Sequence, residues 1–128
     1  MAKRKKRAIL KEKAHKLWSL LIRRKYPRCV MCGTEENLQA HHCIEPAGRS
    51  DGVKYLLSNG ITLCYHCHIH KEHGSASKTW RDTLSSIIDS VISKDDQQNI
   101  HEIGHKNNKL ETCDIEEIIV AFQKALDG

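Results

Sequence analysis

Six cysteines stand at positions 29, 32, 43, 64, 67 and 113, and four of them form two close pairs, Cys29-Val30-Met31-Cys32 and Cys64-Tyr65-His66-Cys67. Each pair puts two thiolates on one tight turn, and two such pairs can close a tetrahedral Zn²⁺ site of the structural kind. A disulfide pairing would need an oxidising compartment. The basic run Lys3-Arg4-Lys5-Lys6-Arg7 is not followed by the unbroken apolar stretch of a secretory signal, so the expected setting is cytoplasmic, bacterial or phage-infected. A redox role for one pair would leave the other unexplained. Cys43 and Cys113 fall outside the pattern and are expected to be small buried hydrophobes.

Between the pairs lie His41 and His42, and His68 follows the last paired cysteine. Neighbouring side chains on a strand point to opposite faces, so adjacent histidines have different jobs. One can bind a metal while the other approaches the same reacting group from another side. That division suits hydrolysis of a phosphodiester, in which a cation neutralises the phosphate and a neutral imidazole takes a proton from water. With an ordinary pKa of about 6.5, histidine is substantially neutral at physiological pH.

These residues need elements to hold them. Leu10, Ala14, Leu17, Trp18, Leu21 and Ile22 recur at helical spacing up to a stop at Tyr26-Pro27, with a disordered basic start. Residues 37–44 read as a short strand carrying His41 and His42, and residues 46–60, with three glycines and a proline, as a loop of little order. Ile61-Thr62-Leu63 is a second strand leading into Cys64, and a helix runs from Tyr65 to about His73, with Gly74 as its stop. Trp80, Leu84, Ile87, Ile88 and Val91 form one apolar stripe, Ser93 with Asp96 starts a helix ending near Gly104, and Asp114 with Glu117 starts another. These stripes would cover the zinc module or a partner chain.

The chain has 128 residues and a net charge of +5, distributed unevenly. Residues 1–28 carry twelve basic residues and one acid, residues 29–81 five of each sign, and residues 82–128 four basic and ten acidic. A basic N-terminal segment suits a phosphate backbone, with little sign of base-specific readout. The expected DNA contacts are Lys3, Arg4, Lys5, Lys6, Arg7, Arg23, Arg24 and Lys25, joined by Arg49 and Lys54 from the loop. His15, His66, His70, His101 and His105 are read as solvated. The sequence contains no run of apolar residues long enough for a membrane helix.

The run Leu38-Gln39-Ala40-His41-His42, then Asn59-Gly60-Ile61-Thr62-Leu63-Cys64, then Cys67-His68, resembles the HNH endonuclease family within the ββα-metal group, over about residues 29–74. The layout is similar to that of small phage nucleases associated with recombination or packaging. The resemblance implies an α+β fold: a ββα-metal core with a four-cysteine zinc site between an N-terminal segment, residues 1–28, and a helical extension, residues 75–128. It further implies His41 and His68 as ligands of a catalytic Mg²⁺, Mn²⁺ or other divalent ion, His42 as general base, and Asn59 as a brace of the loop or an aid at the metal. Relatives with a second histidine four residues after the last one would place it at 72. Here that residue is Glu72, with His73 next, so the third ligand is either of these. The expected activity is hydrolysis of duplex or branched DNA to 5′-phosphate and 3′-hydroxyl ends. The alternatives are a non-catalytic zinc-ribbon module that binds nucleic acid, or an adaptor whose C-terminal helices dock a protein partner or a second copy.

Overall fold

The computed structural model describes residues 2–72, 77–106 and 109–128, with the side chains of residues 2–4 and 70–72 outside the description. Helix α1 (Ala2–Lys25) places Ala14, Trp18 and Ile22 in the core at four-residue intervals and ends at Tyr26-Pro27 as its sequence requires. Its basic start is helical where disorder was expected, and the reason is tertiary. Arg7 donates to the Leu110 carbonyl and to Asp51 at 2.9 Å, while Lys6 lies 3.7 Å from Glu116.

Helix α6 (Thr112–Asp127) lies along α1 and buries Ile115, Ile119 and Phe122 with Ala14, Trp18 and Ile22. The two helices run parallel, since Arg7 reaches Leu110, two residues before α6, while Arg24 donates to Ala125, Leu126 and Gly128 at its far end. A parallel pair sets like dipole ends side by side. Glu111 and Asp114 form a reciprocal cap at the N-terminus of α6, and the Arg24 guanidinium satisfies carbonyls at the other end. The helix thus begins one turn earlier than the expected start at Asp114, which serves as the third residue of the cap.

Strands β1 (Leu38–His42) and β2 (Gly60–Cys64) pair antiparallel, His41 opposite Ile61 and His42 opposite Gly60. Every residue of β2 is buried because helices cover both faces. On one side Gly60 meets α1, and the Thr62 hydroxyl bonds the Ile22 carbonyl at 3.4 Å. On the other, Ile61 and Leu63 pack with Leu84, Ile88 and Ile92 in and just after α4 (Lys78–Val91). Val91, expected in that stripe, is exposed, and Ile92 beyond the helix end fills the place. β1 is shorter than the expected 37–44. Asn37 sits at φ +54, a turn conformation, and the Ile44 amide leaves the ladder to bond Asn59.

Residues 46–60 are ordered, contrary to expectation. They contain a helical turn, α2 (Asp51–Lys54), and a 3₁₀ turn over Leu57–Asn59. Trp18 Nε1 donates to the Leu56 carbonyl at 2.9 Å and pins the segment to α1. Asp51 accepts from Arg7, Lys11 and the Leu110 amide, tying α2 to α1 and to the approach to α6. Helix α3 (Tyr65–Glu72) leaves β2 directly, and the expected stop at Gly74 lies outside the described residues. Ser77 caps α4, and Ser93 caps α5 (Lys94–Gly104) as the sequence predicts.

Candidate metal centre and histidine cleft

The first knuckle is a tight turn. The Gly33 amide bonds the Cys29 carbonyl at 2.9 Å and Gly33 sits at φ +78, a conformation suited to glycine. The second knuckle is the junction of β2 with α3, so its cysteines are aimed by the strand end and the first helical turn. The ligating atoms of Cys29, Cys32, Cys64 and Cys67 all lie within 4.8 Å of one another, and the Cys32 and Cys64 sulfurs are 3.6 Å apart. A tetrahedral zinc with Zn–S bonds of about 2.3 Å requires sulfurs about 3.8 Å apart, so the quartet could hold a metal such as zinc. Burial opposes ionisation of Cys29, but backbone hydrogen bonds from Cys32, Cys64 and Met31 prevail and bring the thiol down to about 7. Cys43 is half-buried as part of the surrounding apolar cluster, whereas Cys113 is exposed on α6 and does not pack as expected.

The histidines converge elsewhere. An open cleft of about 320 Å³ is lined by His15, His41, His42 and His68, together with Ala40 and Pro46. His41 and His68 meet edge-on with ring centroids 4.9 Å apart, bringing β1 and α3 together at one wall. His68 Nδ1 lies 2.5 Å from Gln39 Oε1. An amide oxygen only accepts, so Nδ1 carries the proton and Nε2 is left with the lone pair a metal would use.

His42, one residue on, turns to the opposite side of β1, as alternation demands. Its ring stacks on Trp18 at 4.0 Å with planes 8° apart, and its Nε2 lies 2.8 Å from the Lys54 carbonyl. That carbonyl can only accept, so Nε2 carries the proton and Nδ1 is the basic nitrogen of the neutral ring. Burial holds the His42 pKa below its ordinary value. The Lys54 carbonyl opposes that shift, while the charges of His15 and Lys54 reinforce it.

Asn59 is fully buried and does not face the cleft histidines. Its Oδ1 accepts from the Ile44 and Glu45 amides at 2.9 and 3.0 Å, and its Nδ2 donates to the Glu45 and Val53 carbonyls at 2.8 and 3.2 Å. Of the two roles open to it, the geometry is that of a brace: every polar position of the amide is directed at the backbone of the loop. Glu72 lies at the end of α3 with its side chain outside the description, and His73 lies outside the described residues altogether.

Three histidines expected to be solvated have partners. His15 from α1 stacks with Trp18 and His42, at centroid distances of 5.7 and 5.9 Å. His101 Nδ1 is 2.6 Å from Glu45, a buried carboxylate that also draws Arg49 to 3.6 Å, and Arg49 in turn approaches His105 at 3.3 Å. Sequence reasoning missed His15 because its neighbours are tertiary. The one local signal is that it precedes Trp18 by three residues, on the flank of the apolar stripe. His66 is exposed, and the His70 side chain lies outside the description.

The expected DNA contacts divide. Arg7 and Arg24 are engaged within the fold, Arg49 with Glu45, and Lys6 loosely with Glu116. Lys25 and Lys54 lie over the rings of Tyr26 and Tyr55, Lys5 is exposed, and Arg23 lines a hollow on α1 beside His15. Lys3 and Arg4 are in the first turn of α1, their side chains outside the description.

A strand hairpin followed by a helix, histidines on both, and a four-cysteine knuckle at their junction define a small ββα-metal core. Residues 29–74 match the family model described as HNH endonuclease. No curated protein and no solved structure matches the chain. An HNH domain implies interaction with nucleic acid and points to a nuclease or nucleic-acid-binding role. No helix among the described residues is long and apolar enough to cross a membrane.

Proposed function

We propose that the protein is a metal-dependent DNA endonuclease. The observation that carries this reading is the single cleft in which a His41–His68 pair faces one way while His42, fixed by the Lys54 carbonyl, approaches from the other side of the strand. A divalent ion, Mg²⁺ or Mn²⁺, held by His41 and His68 with Glu72 or His73 as third ligand, would supply positive charge against the phosphate and the departing oxygen. Among the described residues the cysteine quartet is the one cluster of three or more ligating side chains, and it takes the structural zinc.

His42 takes a proton from water at Nδ1 as the water oxygen bonds to phosphorus. The bond from phosphorus to the 3′ oxygen breaks, and that oxygen takes a proton from solvent, leaving a 5′-phosphate and a 3′-hydroxyl. Trp18 and the Lys54 carbonyl hold the ring plane, and Asn59 holds the loop that follows His42. The DNA is bound through its phosphates, by the exposed cations of α1 and by Lys54.

The test is cleavage of supercoiled plasmid and of a four-way junction with Mg²⁺ or Mn²⁺. A positioned general base contributes typically about 10²–10⁴-fold, so His42→Ala is expected to lose at least about a hundredfold in rate. Its zinc content should stay that of the wild type. A wild type that leaves every duplex and junction intact refutes the reading, and equal cutting by His42→Ala refutes the role of that residue.

A further inference from the structure

His15 comes from α1, outside the matched segment, yet it lines the same cleft as His41, His42 and His68. Its ring lies nearly parallel to both His42 and Trp18, at 16° and 23°, so a stack of aromatic rings sets its plane. Nδ1 is shut off from solvent with no hydrogen-bond partner. A buried N–H without a partner is rarer than an under-satisfied acceptor, so the proton of the neutral ring belongs on Nε2, the nitrogen a ligand can reach. Burial, and next the charge of Lys54, lower the His15 pKa and favour that neutral form.

His15 also belongs to a second hollow, again about 320 Å³, lined by Lys16, Ser19, Leu20 and Arg23 along α1. The side chain therefore stands where the histidine cleft passes into a basic groove. Lys16 pairs with the exposed Glu12 at 3.3 Å, a weak pairing between two solvated side chains. A strand with its reacting phosphate among the histidines and a neighbouring phosphate at Lys16 and Arg23 has to cross His15.

We propose that His15 is a substrate-contacting residue, donating Nε2–H to a non-bridging phosphodiester oxygen where the histidine cleft meets the Lys16–Arg23 groove. The inference rests on the nuclease reading for its substrate, but it makes a separate claim about binding. A hydrogen bond to a charged oxygen is worth roughly ten- to a hundredfold in affinity. Being uncharged, the donor releases no counterion, so its loss leaves the salt dependence unchanged, whereas Lys16→Ala should reduce the slope by about one ion.

The experiment uses the zinc-loaded protein and measures the dissociation constant of a fluorescent 20-base-pair duplex by anisotropy, at several salt concentrations, without added divalent ion. His15→Phe keeps a ring in the stack and removes the N–H, while His15→Gln restores an N–H without the ring. The expected result is at least about tenfold weaker binding for His15→Phe, with an unchanged salt slope, and binding within about threefold of wild type for His15→Gln. Equal binding by His15→Phe and wild type overturns the proposal and marks the ring as structural packing; an equal loss in both variants overturns it too, because an N–H restored at this position then recovers nothing. If the wild type binds but cuts nothing, the nuclease reading fails while the contact is still judged by these constants. If His42→Ala abolishes cutting while both His15 variants bind like wild type, the contact fails and the nuclease reading stands. A wild type that binds no duplex overturns both.

Discussion

Asn59 offers the sharpest test of how the loop beside the histidines is held. A side-chain amide has one acceptor and one two-proton donor, and here both ends are used twice, against Ile44, Glu45 and Val53 backbone groups. Asn59→Ala removes four hydrogen bonds at a fully buried position. At about 0.5–1.5 kcal/mol each, with partial rescue by water in the space left, the cost is about 3 kcal/mol. For a chain of this length that is a fall in Tm of roughly 10 °C. Asn59→Asp is the informative partner. It keeps the oxygen facing the two amides but turns a second oxygen toward the Glu45 and Val53 carbonyls, and it adds a charge close to the buried Glu45 carboxylate. It should therefore be at least as unstable as Asn59→Ala at pH 7. It should recover as pH falls, because a protonated carboxyl can donate where the amide did. Urea unfolding at pH 7 and pH 5 with zinc held constant reads both effects. A metal ligand would behave oppositely, since a carboxylate binds a divalent ion better than an amide. An Asn59→Asp protein as stable as wild type, and cutting as well or better, would refute the bracing argument.

Three further outcomes follow from the packing. Gly60→Ala would set a methyl 2.5–2.8 Å from Ile22 and Trp18, both fully buried, so it should cost about 1–3 kcal/mol in urea unfolding and alter Trp18 fluorescence. Burial raises the Asp51 pKa, but Lys11, the Leu110 amide and Arg7 outweigh it and hold the carboxyl below its ordinary value. Its contribution is thus present above the unfolded value of about 3.9 and lost as pH falls through the folded one. Asp51→Asn should be destabilised by about 1–2 kcal/mol at pH 7 and much closer to wild type at pH 3, with urea midpoints as the readout. Cys29→Ser removes a sulfur that is also buried in the second apolar cluster, so zinc measured by mass spectrometry should fall below one per chain and the thermal transition should weaken or vanish.

What the sequence displayed was whatever depends on short spacing. Two cysteine pairs, adjacent histidines on a strand and the serine cap of α5 are each decided within a few residues, and each is where its spacing puts it. The partners of His42 were not visible in that way. Trp18 lies 24 positions earlier and the Lys54 carbonyl 12 later, and only the folding of α1 over β2 brings them together. The order of residues 46–60 was hidden for the same reason. Its glycines and proline describe local freedom, while its shape is imposed by the Trp18 indole, the Asn59 amide and the cations around Asp51.

Charge shows the limit of composition most clearly. The surplus of basic residues before position 29 and of acids after position 81 suggests one segment for nucleic acid and another for a partner, yet α1 and α6 are each other's neighbours. Arg7 meets Asp51 with both side chains largely shielded, and Arg24 closes the end of α6, so these cations serve the fold whatever the ligand. A guanidinium that satisfies helix-end carbonyls must give up those bonds to reach a phosphate, and the exchange gains little. Lys16 and Arg23 line a hollow on the same helix beside His15, where Lys16 pairs with the exposed Glu12 at 3.3 Å and Arg23 Nε bonds the Ser19 carbonyl of its own helix at 3.3 Å, and neither reaches across to another element through these bonds. The cations suited to DNA are therefore selected by position around the helix. The turn of α1 that buries Ala14, Trp18 and Ile22 is what leaves Lys16 and Arg23 on the other side of the helix, so the packing that stacks Trp18 on His42 also sets which cations of α1 border the histidine cleft.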